Sequence, residues 1–156
     1  METPDQWAER NAGYFDPPEA EVVGMVLASW RVAAGLALGR DDIEFAAAFQ
    51  RHYTKLGTGL PPNFALAATA GEVIACKFDP SSIAHPRAAH DSQFKKQITS
   101  WPRATVRFAD TEAGPLAYGM TLHVDGRKPI PCRCPKLPKN PASAYAVVML
   151  GGELPS

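Results

Sequence analysis

The sequence predicts an α+β fold: an N-terminal helical pair, then an antiparallel curled sheet or barrel closed by a C-terminal helix. Three observations carry this. Apolar residues between 16 and 60 recur at helical spacing. From residue 64 onward the period changes to two, with turn signals between the segments. Asn140-Pro141 then opens one last apolar helix. The expected organisation is a flexible arm over 1–15, a helical segment over 16–60 and a β-barrel domain with its helix over 61–156.

Residues 1–15 are polar with scattered aromatics, Trp7, Tyr14 and Phe15, which suits a loosely held arm. Asp16-Pro17-Pro18-Glu19 reads as a helix start, with Asp16 as cap, Pro17 in the first position and Glu19 at capping-box spacing. This helix is expected to run to about Leu38, with Gly39 as its stop. It is apolar almost all round, which favours burial on two sides, for example in a dimer. Val22–Leu38 is short for a membrane span and carries Arg31 near its centre, so a core or dimer helix is the expectation. A second helix is expected from Asp41, with Ile43, Phe45, Ala46, Phe49, Tyr53 and Leu56 as its stripe, ended by Gly57, Gly59 and Pro61-Pro62.

Asn63–Thr69 and Glu72–Asp79 read as a hairpin around Ala70-Gly71, with Ile74, Cys76 and Phe78 on one face. Residues 80–95 read as a long loop. Gln97–Trp101 and Thr105–Ala109 read as strands, with Val106 and Phe108 inward. In 116–125 the alternation is clearest: Leu116, Tyr118, Met120, Leu122 and Val124 point one way. Asp125-Gly126 is a hairpin turn. The returning strand, 128–134, contains Pro129 and Pro131 and is expected at a sheet edge. In the last helix Tyr145, Val148 and Met149 are expected to face the core, and Gly151 to close it.

The chain of 156 residues is 46% hydrophobic and 21% charged, in the range of one folded domain. Its net charge is zero, but residues 1–50 carry −6 and residues 86–139 carry +6. Either the two regions pack on each other, within or between chains, or the second offers a basic face to an anionic partner. A pI near 6.9 disfavours nucleic acid. Three cysteines do not make a disulfide framework. The acidic opening lacks the basic and apolar regions of a secretory leader, so a reducing cytoplasm is expected.

The segments "FALAATAGEVIACKFDP", "SWPRATVRF", "MTLHVDGRKPIPC" and "NPASAYAVVML" make residues 64–150 resemble the bacterial pleckstrin-homology-like fold, as in small actinobacterial proteins of unassigned role. That family's sheet usually has seven strands; about six are legible here. The resemblance implies binding or scaffolding more often than catalysis. Eukaryotic relatives bind phosphoinositides through basic residues around the first hairpin, whereas here that turn is Ala70-Gly71-Glu72, without a basic cluster.

Candidate chemistry is sparse. Cys132-Arg133-Cys134 with Cys76 lacks the paired Cys-x2–4-Cys spacing of zinc sites. On an extended strand a Cys-x-Cys pair lies about 6.6 Å apart with parallel Cβ vectors, which suits buried small hydrophobes better than a disulfide. His52, His85, His90 and His123 have Ser81, Ser82 and Ser92 in the neighbourhood of the two loop histidines, but no nucleophile motif supports them. No catalytic residue, metal ligand or cofactor is assigned. The basic residues Lys96, Arg103, Arg107, Arg127, Lys128 and Arg133, with Trp101 among them, are the candidate binding set. The function read from this is a non-enzymatic binding or assembly module whose partner is another protein or a second copy through residues 19–38. The alternatives are a small hydrolase using the loop histidines and peripheral attachment to an anionic membrane.

Overall fold

A computed structural model describes residues 2–51, 59–81, 87–135 and 139–154. Among them are three α-helices and one seven-stranded antiparallel sheet, with the C-terminal helix present as expected. Residues 2–15 are not a loose arm. Helix α1 (Pro4–Asn11) opens on a capping box, in which Thr3 accepts from the Gln6 amide and Gln6 accepts from the Thr3 amide. Its Trp7 is buried edge-on against Tyr145, 5.1 Å between ring centroids.

Helix α2 (Ala20–Leu38) starts later than expected, with Glu19 rather than Asp16 at its cap and a cis Asp16-Pro17 bond before it. Gly39 ends it at φ +66°, a conformation that glycine adopts without a Cβ clash. The chain then departs most from its sequence reading. Residues 45–51 form strand β1 (Phe45–Arg51), not a second helix. The rest of that expected helix, residues 52–58, lies outside the described residues.

Strands β2 (Asn63–Ala68) and β3 (Glu72–Phe78) form the expected hairpin, whose turn is held by the Thr69 hydroxyl accepting from the Gly71 and Glu72 amides. Strand β4 (Phe94–Pro102) takes the end of the expected loop, after a 3-10 turn over Asp91–Gln93. Strands β5 (Val106–Ala113), β6 (Ala117–Val124) and β7 (Ile130–Pro135) follow, and helix α3 (Pro141–Met149) is capped by Asn140, which accepts from the Ala142 amide. In α3, Tyr145 and Val147 are buried, while Val148 and Met149 are half-buried. Leu116 precedes β6 and is exposed, not inward.

The strand order is β4-β3-β2-β1-β7-β6-β5. Strand β7 is therefore internal, not an edge. Among the described residues β1 and β7 pair at Gln50 opposite Arg133 and Arg51 opposite Cys132, and neither Pro131 nor Pro135 stands opposite a described β1 residue. The sheet is not closed, and β4 and β5 are its free ends. It is nevertheless strongly curled. In a flat sheet β5 would lie about 14 Å from β1, three strand spacings away. Instead the Phe49 and Phe108 ring centroids are 4.9 Å apart.

The curl encloses one face of the sheet. Phe45, Ala47 and Phe49 of β1 share it with Phe64 and Leu66 of β2, Val73 of β3, Trp101 of β4 and Met120, Leu122, Cys132 and Cys134 of β6 and β7. The opposite face of β1–β3 is also buried but made mostly of small residues: Ala46, Ala48, Ala65, Ala67 and Cys76, with Ile74 and Phe78. Helix α2 packs on this side, where Trp30 stacks on Phe78 at 5.4 Å and donates its ring N–H to the Arg87 carbonyl. Val23, Val26, Leu27, Ala33 and Ala34 of α2 are buried with it.

Because Phe49 joins the two halves of the curl, Phe49→Ala is expected to lower unfolding free energy by about 3–5 kcal/mol in urea titration. A loss below about 1 kcal/mol would mean that the Phe49–Phe108 contact does not hold the curl together.

Candidate interaction surface

The predicted basic set does not converge. Trp101 is buried within the curl, and its ring N–H has no hydrogen-bond partner among the described residues. Arg103 is engaged in the fold: it pairs with Glu44 at 2.6 Å, donates to the Thr69 carbonyl at 2.8 Å and lies over the Phe45 ring at 5.2 Å. This ion pair joins the acidic N-terminal third to the basic region. Lys96 is exposed on β4, at one free end of the sheet; Arg107 is exposed on β5, at the other, 3.8 Å from Asp125. Arg127 and Lys128 are exposed in the turn before β7, and Arg133 bonds Gln50 at 3.1 Å. Arg107, Arg127 and Lys128 are thus the subset gathered near one turn, with Asp125 among them.

Two of the four histidines, His52 and His85, lie outside the described residues. His90 caps the 3-10 turn after the loop, and its Nδ1 meets both the Ser92 hydroxyl at 2.7 Å and the Asp91 carboxylate at 3.2 Å. Covalent catalysis needs the acid and the nucleophile at opposite ring nitrogens. Here both crowd one nitrogen, as local capping requires. His123 lies on β6 with Nε2 3.8 Å from Asp110, which sits at a β-bulge with φ +55°.

Cys76 lies on the α2-facing side of the sheet, and Cys132 and Cys134 on the enclosed side. Burial pushes the Cys76 thiol up to about 11 and the Cys132 and Cys134 thiols up to about 12. A cavity at the end of the curl, between Tyr14 and Phe15, β6 and α3, is lined by Tyr118, Met120, Cys134 and Ser143. Lys139 closes its rim, donating to the Tyr14 carbonyl at 3.1 Å with its ammonium 4.1 Å from the Tyr14 ring.

The distinctive surface is the outer side of α2. Met25, Val32 and Leu36 are 70%, 49% and 68% exposed and fall on one stripe, away from the buried Val23, Val26, Leu27, Trp30, Ala33 and Ala34. Grooves flank the stripe at both ends. The first is walled by Asp5, Glu9 and Glu21 beside Gly24, Met25 and Ala28. The second is walled by Arg31, Arg40 and Asp41 beside Gly35, Leu36 and Gly39. Arg40 is held by Asp42 and Glu72, which raise its pKa, and it lowers that of Asp42. Arg31 makes no ion pair among the described residues. By length and composition alone α2 could cross a membrane, although its inner side packs on the sheet. The sequence reading singled out 19–38 as a segment; the individual residues Met25, Val32 and Leu36 needed the inner side of the helix to be known.

Comparison with protein-family models, curated proteins and solved structures finds no match.

Arg103→Ala is expected to cost about 1–2 kcal/mol of stability, because it leaves the Thr69 carbonyl and Glu44 unpaired, whereas Lys96→Ala stays within about 0.5 kcal/mol. Equal, negligible losses in urea titration would remove Arg103 from the fold's framework. The thiols also set a pH dependence. An unfolded thiol ionises near pH 8.5, while the buried ones hold their protons to about 11 or 12, so the folded state binds more protons in that window. Stability is therefore expected to fall above about pH 8.5, by roughly 1.4 kcal/mol per pH unit for each thiol. In Cys132→Ala the fall is expected to be shallower by one thiol's share; an unchanged slope would contradict the assignment.

Proposed function

We propose that this protein is a non-enzymatic assembly module of pleckstrin-homology-like type that self-associates through the outer stripe of α2. The observation that carries the reading is Met25, Val32 and Leu36, large apolar side chains left in water on a helix whose other side is fully used in packing on its own sheet. A second copy suits the stripe because its two ends differ in charge, one acidic around Glu21 and the other carrying Arg31, which makes no ion pair among the described residues. A surface with complementary ends matches itself in an isologous pair. Seven strands and a C-terminal helix support the family reading, and three unpaired buried thiols suit a reducing cytoplasm. No cofactor enters this function.

Size exclusion with light scattering at micromolar concentration is expected to give twice the chain mass, at low and high salt alike. Leu36→Glu is expected to give the single-chain mass with unchanged circular dichroism. Burying a leucine stabilises by about 1.5–3 kcal/mol, and a two-fold pair counts it twice, so dimer affinity is expected to fall at least about 100-fold. A wild-type chain that runs as a monomer overturns the reading.

A further inference from the structure

We infer that the turn ending α3, residues 150–154, is a latch on the open side of the sheet, and that its release opens the enclosed face locally while the doubly covered strands stay folded. Strands β4 and β5 end the sheet, and no backbone ladder joins them among the described residues. The chain links them at Arg103–Thr105, where Arg103 is fixed to Glu44 and to the Thr69 carbonyl. Beyond that hinge, β5 is held at Phe108. Its ring meets Phe49 at 4.9 Å, and its amide donates to the Leu150 carbonyl at 2.9 Å. Past Phe108 the pairing of β5 with β6 is interrupted by a bulge between Ala109 and Glu112, with Asp110 at φ +55°.

The turn is built to make that bond. Gly151, at φ +89°, donates to the Val148 carbonyl at 3.1 Å, and Gly152 donates to the Val147 carbonyl at 2.8 Å, the paired closure of a Schellman motif. The Leu150 carbonyl is among the last of the helix, which have no partner within it, and it goes to the β5 edge instead. A Cβ on Gly152 would lie 2.6 Å from Val147 Cγ1, 3.0 Å from the Val147 carbonyl oxygen and 3.2 Å from Phe108 Cβ, so the turn sits against β5 with no room for a side chain. One edge hydrogen bond and one ring contact hold less than the two-sided burial of β1–β3, so opening at β5 costs less than global unfolding. The thiols distinguish the two processes. Cys132 is on the enclosed face, Cys76 is on the side that α2 covers, and both are 0% exposed. Opening at β5 bares the first and leaves the second covered.

The test is native-state modification of the full chain by N-ethylmaleimide, followed at each cysteine by peptide mass spectrometry across a urea series, with amide exchange at Phe108 measured in parallel. Cys132 is expected to react at least about tenfold faster than Cys76 and with little dependence on urea, through the same opening that exchanges the Phe108 amide. Gly152→Ala is expected to raise the ratio of the two rates by about another tenfold, whereas Gly13→Ala, with nothing within 4 Å of the added carbon, leaves it unchanged. Equal rates for the two thiols at every urea concentration would overturn the local opening. A Phe108 amide that exchanges only on global unfolding while Cys132 reacts faster, or a ratio unmoved in a folded Gly152→Ala, would overturn the latch. Should Gly152→Ala not fold, the comparison of Phe108 with Cys132 in the wild-type chain decides alone.

Discussion

The fold depends on burying both faces of β1, β2 and β3. An antiparallel sheet commonly keeps one face in water. Here the centre of the sheet has none to spare. The enclosed face takes aromatic and large aliphatic side chains, Phe45, Phe49, Phe64 and Leu66, and the curl brings Phe108 onto Phe49 across it. The second face takes alanines, and their small size lets a helix lie close. Tertiary hydrogen bonds fasten the same region, with Ser143 of α3 donating to the Ala48 carbonyl and Trp30 of α2 reaching the Arg87 carbonyl. Helices α2 and α3 thus cover what β1–β3 cannot expose.

That constraint also shapes the surface. Helix α2 commits Val23, Val26, Leu27, Trp30, Ala33 and Ala34 to the sheet, which fixes its rotation and leaves Met25, Val32 and Leu36 outward. The helix is therefore packed in cis and still apolar on its free side. Strands β5–β7 behave differently: their outer face alternates in exposed or half-buried Arg107, Thr121, His123 and Arg133. Candidate binding residues on that face are spread along separate strands and partly paired, whereas the α2 stripe is continuous. The proposed role follows from this contrast between a face that is ordinary for a solvated sheet and a helix that is not ordinary for a solvated surface.

Much of the fold was legible in the sequence because period-two alternation survives wherever one face is wet. Tyr118, Met120, Leu122 and Val124 announced β6, and Val106 and Phe108 announced β5. β1 was illegible for the opposite reason. In "FAAAF" both faces are buried or half-buried, alternation disappears, and a short apolar run looks the same as a buried helix segment. Missing it also hid the internal place of β7, since two prolines argue for an edge until β1 is seen to pair with Cys132 and Arg133. Helix α1 was missed because its capping box begins at Thr3 in a polar stretch whose buried residues are Trp7 and the small Ala8. Of the site, the segment was legible from its all-round apolarity. Which of its residues face outward was not, because that depends on long-range packing against Phe78.

Native-state hydrogen exchange by NMR tests the central claim most directly, since it reads the stability of each strand separately. The account predicts that amides of β1, β2 and β3, such as those of Ala47, Leu66 and Ala75, exchange only through global unfolding. The outward amides of β4 and β5, at the sheet's free ends, are expected to exchange through local opening. If residues 45–51 exchange as fast as β4, or carry helical carbon shifts, β1 is not the doubly buried centre of the sheet and the packing of α2 upon it falls with it.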